Sequence, residues 1–271
     1  MKRALLVGIN YVGTSCELRG CLNDISDMKN LLINHYGYDQ GNILVLEDTT
    51  TYKPIGENIF AAWEWLLSGN PASHFLTDSV KLPLPDASTL VFHYSGHGCR
   101  ANFSPDKGSG ILRKCKQDDA ICPLDFQTNG MIIDDDIRNR LAFLVPASCK
   151  LSIFLDACHS GNAVELSYIC NYDGTTFSLS PQGKYTDVVG NVVCFAGCKD
   201  NQTSADVRIS NVGHGAFTYT FMKVLADAKY NITYNTLMSD ILASLRSSAL
   251  SDQIPVFTVG HNLDICIPFS L

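Results

Sequence analysis

Cys158 sits in Asp156-Ala-Cys-His-Ser-Gly161, directly after an almost unbroken apolar run over residues 151–155. Such a run reads as a buried strand. The end of a buried strand is where an α/β protein fixes a reactive group and still leaves it reachable. A thiol held there is a candidate nucleophile. A second run, residues 89–94, leads into Ser95-Gly-His-Gly98. The two glycines around His97 leave room for backbone to approach a bound peptide. His97 precedes Cys158 by 61 residues, and two strand ends in one parallel sheet can bring them together. Imidazole beside a thiol can orient it, deprotonate it or pair with the thiolate. Taken singly, each residue reads as well as a buried structural cysteine or an ordinary loop histidine. The pair at two strand ends argues for chemistry.

Carboxylates accompany the pair. Asp156 lies two residues before Cys158, and Asp24 lies at the start of the first helix, beside another strand end. Two carboxylates in one pocket prefer a cationic side chain, with arginine able to pair as a fork. The plainer readings are a helix N-cap for Asp24 and a loop cap for Asp156. Asp134, Asp135 and Asp136 precede Ile137, Leu141 and Leu144, a pattern that suits the positive end of a helix.

The elements that must position these residues follow from periodicity. Residues 4–9 read as strand one. Asn23 or Asp24 can cap a helix to about His35, with Ile25, Met28 and Leu32 on one face and Gly37 as its left-handed stop. Residues 43–46 form strand two. A helix follows with Ile59, Ala62, Trp63 and Leu66 inward, ended by Gly69, Asn70 and Pro71. After the Cys158 strand, residues 162–187 are weakly patterned. Residues 189–196 make another buried strand. Phe217, Phe221, Val224 and Leu225 anchor a helix over 215–228. Thr233 caps a last helix through Leu245, and residues 255–259 close as a short strand. Its proline suits a strand start or an edge. Residues 99–130 are long and irregular, as functional or mobile loops are. About six strands alternating with helices argue for a three-layer α/β domain, its sheet mostly parallel with right-handed crossovers.

Composition narrows the function. The chain has 271 residues, 46% hydrophobic, enough for one well-cored domain. A net charge of −7 argues against a nucleic-acid groove and an anionic membrane surface. No apolar run approaches a membrane span. The opening residues read as a first strand rather than a signal peptide, with any pro-segment removed or never present. The 11 cysteines are scattered without zinc spacing. Together these features point to a reducing, cytoplasmic setting with mostly free, buried thiols.

Four ordered motifs carry a resemblance: Arg19-Gly-Cys-Leu-Asn-Asp24, Tyr94-Ser-Gly-His-Gly98, Asp156-Ala-Cys-His-Ser-Gly161 and Gly197-Cys-Lys-Asp-Asn-Gln-Thr-Ser-Ala-Asp206. Over nearly the whole chain they resemble a metacaspase, a caspase-like cysteine peptidase, of the compact single-chain kind without a pro-domain. The resemblance implies a caspase-hemoglobinase fold in one domain over 1–271. Within it, a p20-like part covers about 1–165, a linker about 166–188 and a p10-like part about 189–271. It implies a His97–Cys158 dyad, oxyanion donors from the backbone of Gly98 and Cys158, and cleavage of polypeptides after Arg or Lys. Asp24, Asp156, Ser95 and Cys21 match the basic-residue pocket. A calcium ion is implied on Asp118, Asp134, Asp135 and Glu165, with glutamate where the family usually has aspartate. Autocleavage candidates are Lys184, Arg113, Lys114, Lys116 and Lys199. Metacaspases are generally monomeric, whereas caspases pair through an edge strand, and residues 254–259 are placed for such an edge. A non-peptide acyl hydrolase, a non-catalytic interaction domain and a peptidase cutting after Asp are the competing readings.

Overall fold

The computed structural model describes residues 1–70, 82–102, 117–158, 164–183, 185–197, 206–209, 212–247 and 254–271. The strands in chain order are β1 (Lys2–Gly8), β2 (Ile43–Glu47), β3 (Thr89–Ser95), β4 (Gly98–Asn102), β5 (Gln117–Ile121), β6 (Ile132–Ile133) and β7 (Lys150–Asp156). They continue with β8 (Tyr168–Tyr172), β9 (Phe177–Pro181), β10 (Asn191–Ala196), β11 (Asp206–Ile209), β12 (Val212–Gly215) and β13 (Val256–Val259). The helices are α1 (Cys21–Tyr36), α2 (Gly56–Leu66), α3 (Phe126–Asn129), α4 (Asp134–Arg140), α5 (Ala216–Asp227) and α6 (Tyr234–Ser247).

Eight strands form the central sheet in the order β2-β1-β3-β7-β10-β13-β8-β9. The first five run parallel, and β13, β8 and β9 pair antiparallel. The continuous apolar runs belong to strands covered on both faces, as parallel sheets are. Leu5, Val7, Phe92, Tyr94, Ile153 and Leu155 pack on one face with Trp63 and Leu66 of α2 and Ile137 of α4. Leu6, Val91, Phe154 and Phe195 pack on the other with Ile25 and Met28 of α1, Phe217 and Phe221 of α5, and Ile241 of α6. This is the expected three-layer arrangement. All four inward residues predicted for the second helix are buried, as are the four anchors of α5. Thr233 caps the last helix, its Oγ1 accepting from the Thr236 N–H at 3.2 Å.

Several local expectations change. Gly20, not Asn23 or Asp24, is the N-cap of α1, and it offers no side-chain bond. Asp24 sits inside the first turn and points its carboxylate away from its own helix. Leu144 falls beyond the end of α4 and is 60% exposed. The weakly patterned segment after Cys158 supplies β8 and β9, which lie on the sheet. That hairpin covers β13, so residues 254–259 are interior to the sheet rather than an edge. Two small sheets, β4-β5-β6 and β11-β12, stand apart from the main one.

Candidate active site

Strand register sets the geometry of the two motifs. β3 and β7 pair in parallel with Ser95 opposite Asp156, and the Gly96 N–H donates to the Asp156 carbonyl at 3.3 Å. His97 and Cys158 each lie two residues past that pair, on neighbouring strand ends. The contact continues beyond the sheet. A Cβ on Gly98 would stand 1.9 Å from the Cys158 carbonyl oxygen. No side chain fits there, so the glycine after His97 is required by the approach of the cysteine's backbone.

His97 is held from three sides. Its ring Nε2 lies 2.7 Å from the Cys16 carbonyl. A carbonyl only accepts, so Nε2 carries the proton and Nδ1 of a neutral ring is left as an acceptor. The Tyr11 ring lies 4.7 Å from the imidazole, and the Tyr11 hydroxyl accepts from the His97 N–H at 3.0 Å. The His97 carbonyl accepts from the Tyr94 hydroxyl at 2.8 Å and from the Cys122 N–H at 3.0 Å.

Beside this rim lies a buried acidic pair. Asp24 is fully buried and Asp156 is 3% exposed. Asp24 accepts from the Ser95 hydroxyl at 2.6 Å and from the Gly215 N–H at 2.9 and 3.0 Å. Asp156 accepts from the Thr218 N–H at 2.8 Å. Gly215 is the N-cap of α5, so both carboxylates gather at the positive end of one helix. A Cβ on Gly215 would fall 2.2 Å from Asp156 Oδ2 and 2.7 Å from Asp24 Oδ2, so both side chains reach the same glycine. Burial, then the charge of Asp156, pushes the Asp24 carboxyl well above its usual range, against the hydrogen bonds from Ser95 and Gly215. Cys21, the first residue of α1, is buried next to this pocket.

The family model for the metacaspase, peptidase C14 domain matches residues 2–167. The chain belongs to the metacaspase family. It is a cysteine-type endopeptidase of that family. Metacaspase-1 of Scheffersomyces stipitis is 32% identical over 99% of this chain and 73% of its own length. Metacaspase-1 of Arabidopsis thaliana is 33% identical over 91% of this chain and 65% of its own. A crystal structure of a Geobacter sulfurreducens protein superposes with a TM-score of 0.64 at 21% identity, covering 97% of this chain and 94% of that one, which shows the shared fold.

The acidic residues expected to hold calcium come from three places. Asp118 is on β5, Asp134 and Asp135 open α4, and Glu165 lies three residues before β8. Asp134 is buried, and its carboxyl is pushed up to about 7 by burial, then by the charges of Glu165, Asp118 and Asp135. The Asp135 N–H donates to Asp134 Oδ1 at 2.8 Å and works against that shift. Glu165 is buried with φ at 51°, a left-handed backbone that a glutamate rarely adopts. Hard oxygen donors of this kind suit calcium. As the side chains stand, no group of three or more His, Cys, Asp or Glu among the described residues is close enough to hold an ion. The donor chemistry fits, and coordination requires the carboxylates to turn toward one another. Lys184, Arg113, Lys114, Lys116 and Lys199 lie outside the described residues.

Sequence reasoning missed much of the scaffolding. Tyr11, the Cys16 carbonyl, Thr218 and Gly215 hold the site through backbone groups or long-range contacts that leave no motif. His214 on β12 was also missed. Its Nδ1 lies 3.8 Å from Asp24 and 3.6 Å from Asp27. The glycines flanking it, in Gly213-His214-Gly215, are the signal that was available.

Proposed function

We propose that this metacaspase is a calcium-stimulated endopeptidase that cleaves after Arg or Lys through His97 and Cys158. The observation that carries the reading is the buried Asp24–Asp156 pair at the N-terminus of α5, beside the strand ends bearing the histidine and the cysteine. An arginine or lysine side chain entering that hollow meets two carboxylates. An aspartate there would be repelled.

Cys158 Sγ attacks the scissile carbonyl, with His97 Nδ1 taking the thiol proton. The backbone N–H groups of Gly98 and Cys158 stabilise the oxyanion, an interaction worth on the order of 10²-fold or more per donor. The imidazolium then protonates the leaving amine, and water hydrolyses the thioester with His97 as base. The Cys16 carbonyl keeps the ring oriented throughout. Asp118, Asp134, Asp135 and Glu165 would hold calcium, which when bound neutralises their mutual repulsion. The p20-like part over about 1–165, the linker over about 166–188 and the p10-like part over about 189–271 remain our division of the chain. Self-cleavage at Lys184, Arg113, Lys114, Lys116 or Lys199 belongs to the same proposal. Cys21, Cys122, Cys149, Cys170 and Cys194 are buried and in thiol form, which supports a reducing, cytoplasmic setting. Among the described residues no helix is long and apolar enough to cross a membrane.

The test is an assay on peptides ending in Arg, Lys or Asp, with calcium or a chelator. Cleavage is expected for Arg and Lys peptides, rising with calcium and lost in Cys158→Ala. Activity surviving in Cys158→Ala would overturn the nucleophile, and rates unchanged by chelator would remove the calcium dependence alone. Preferential cleavage of Asp peptides would overturn the pocket assignment.

A further inference from the structure

A second pair of thiols lies against the catalytic histidine without a part in the reaction above. Cys99 is on β4, immediately after Gly98, and Cys122 follows the end of β5. The two strands run antiparallel with Gly98 opposite Ile121, so Cys99 and Cys122 are diagonal neighbours across the ladder. Their sulfurs are 3.4 Å apart. Reaching the disulfide bond length of about 2.05 Å needs a closure of about 1.4 Å, within what small shifts of two side chains and a strand end can provide. Met131 borders the pair, its Sδ 2.7 Å from Cys99 Sγ.

The two thiols differ in the way that ordered exchange requires. Cys99 is half-buried and reachable, whereas Cys122 is 3% exposed. The Cys122 thiol hydrogen-bonds to Cys99, which favours the Cys99 thiolate and pushes Cys122 upward. Cys122 is also tied to the site: its N–H donates to the His97 carbonyl, and its own carbonyl accepts from the Tyr11 hydroxyl at 2.5 Å. Any pull on Cys122 is therefore passed to the His97 backbone and to Tyr11, whose ring lies against the imidazole.

We propose that Cys99 and Cys122 form a reversible disulfide that acts as a redox-modification site beside the dyad and slows the enzyme when closed. The oxidant is a low-molecular-weight disulfide. The Cys99 thiolate attacks one of its sulfurs, the oxidant's S–S bond breaks, and one thiolate leaves and takes a proton from solvent. Cys122 then loses its proton, its sulfur attacks the Cys99 sulfur of the mixed disulfide, and the second thiolate leaves and is protonated. Two protein thiols are oxidised, and one small disulfide is reduced to two thiols. Reductant reverses the sequence.

The inference that closure slows the enzyme rests on His97 being catalytic; the chemistry of the pair does not, and the experiment separates them. Full-length Cys158→Ala protein is treated with oxidised glutathione, remaining thiols are blocked with N-ethylmaleimide, and the digest is mapped by mass spectrometry. A peptide joining Cys99 to Cys122, two hydrogens lighter than the reduced pair, is the expected product. Recovery of both residues alkylated or glutathionylated, or of either linked to Cys16, overturns the site. Wild-type enzyme is then oxidised with Cys158 protected by a reversible arginine aldehyde, freed of it and assayed. A loss of about 10-fold in kcat is expected, smaller than the 10²-fold that a 1 Å misplacement can cost. Dithiothreitol should restore the rate, and Cys99→Ala should show no loss. Equal losses in wild type and Cys99→Ala would overturn the regulatory role while leaving a mapped disulfide standing.

Discussion

A substrate cation should ease the ionisation of Asp24. Burial and the charge of Asp156 raise its carboxyl, which favours a proton held within the empty acidic pair relative to two ordinary aspartates. A guanidinium entering between them favours both ionised forms, and the proton must leave. Binding of an arginine peptide ligand to Cys158→Ala protein at neutral pH should therefore release up to one proton. Titration calorimetry in two buffers of different ionisation enthalpy measures it. Asp24→Asn should abolish the release and weaken binding by about 10- to 100-fold, the scale of one charge-assisted pair. Identical enthalpies in the two buffers would refute the shared proton. His93 gives a second prediction of opposite sense. It is fully buried on β3, with Nε2 3.2 Å from Thr218 Oγ1, and burial lowers its pKa to about 3. The unfolded chain takes up this proton below about pH 6.5 and the folded chain does not. Stability from this residue is thus complete above about 6.5 and drains away as pH falls toward 3, on the order of 5 kcal/mol in all. Urea midpoints of wild type should fall between pH 6.5 and 4.5 by more than those of His93→Gln. The raised Asp24 and Asp27 titrate in the opposite sense in both proteins and cancel in the comparison. Neither feature was visible as chemistry in the sequence. His93 was absorbed into an apolar run, and the acidity of Asp24 depends on neighbours about 130 and 190 positions away.

At the scale of elements, legibility followed burial. β3, β7 and β10 are covered on both faces, and their apolar runs announced them. β8 and β9 lie toward the end of the sheet, where a strand needs fewer apolar residues. Asn171 and Ser178 face each other across that hairpin, and the segment read as loop. The short β11 and β12, a two-stranded sheet of their own, were missed as well, although β12 delivers Gly215 to Asp24. A strand-end contact carries the most specific prediction here. Gly98 touches backbone rather than a side chain that could rotate, so Gly98→Ala must part the two strand ends. A loss in kcat of about 10²-fold or more is expected, with the far-UV circular dichroism spectrum unchanged. Gly41→Ala, where a Cβ meets only the Asp39 side chain at 3.1 Å, should retain full activity. Comparable kcat values for both variants would mean that the approach of Cys158 to Gly98 does not position the reacting groups.

The whole molecule carries a net charge of −7, and part of that excess is concentrated where the fold must bury it. Asp134 and Glu165 are buried, and Asp134 lies within electrostatic reach of Glu165, Asp118 and Asp135. This repulsion joins β5, the start of α4 and the segment after Cys158, so its relief is felt by several elements at once. A divalent cation that binds the folded chain and not the unfolded one stabilises it by about 2.7 kcal/mol at a hundred times its Kd. For a domain of this size that corresponds to a rise in Tm of about 5 to 10 °C. Cys158→Ala protein is the right material, because self-cleavage cannot then alter the melting curve. Calcium should raise its Tm by that amount, and magnesium at equal concentration should do less, because its smaller octahedral shell suits separately held carboxylates poorly. Glu165→Asp shortens the arm that departs from the family pattern and should shift the calcium midpoint while keeping the full rise. Asp134→Asn should remove the rise and, by deleting one of the repelling charges, leave the metal-free protein no less stable than wild type. A calcium-induced shift that survives Asp134→Asn intact would place the ion elsewhere in the chain.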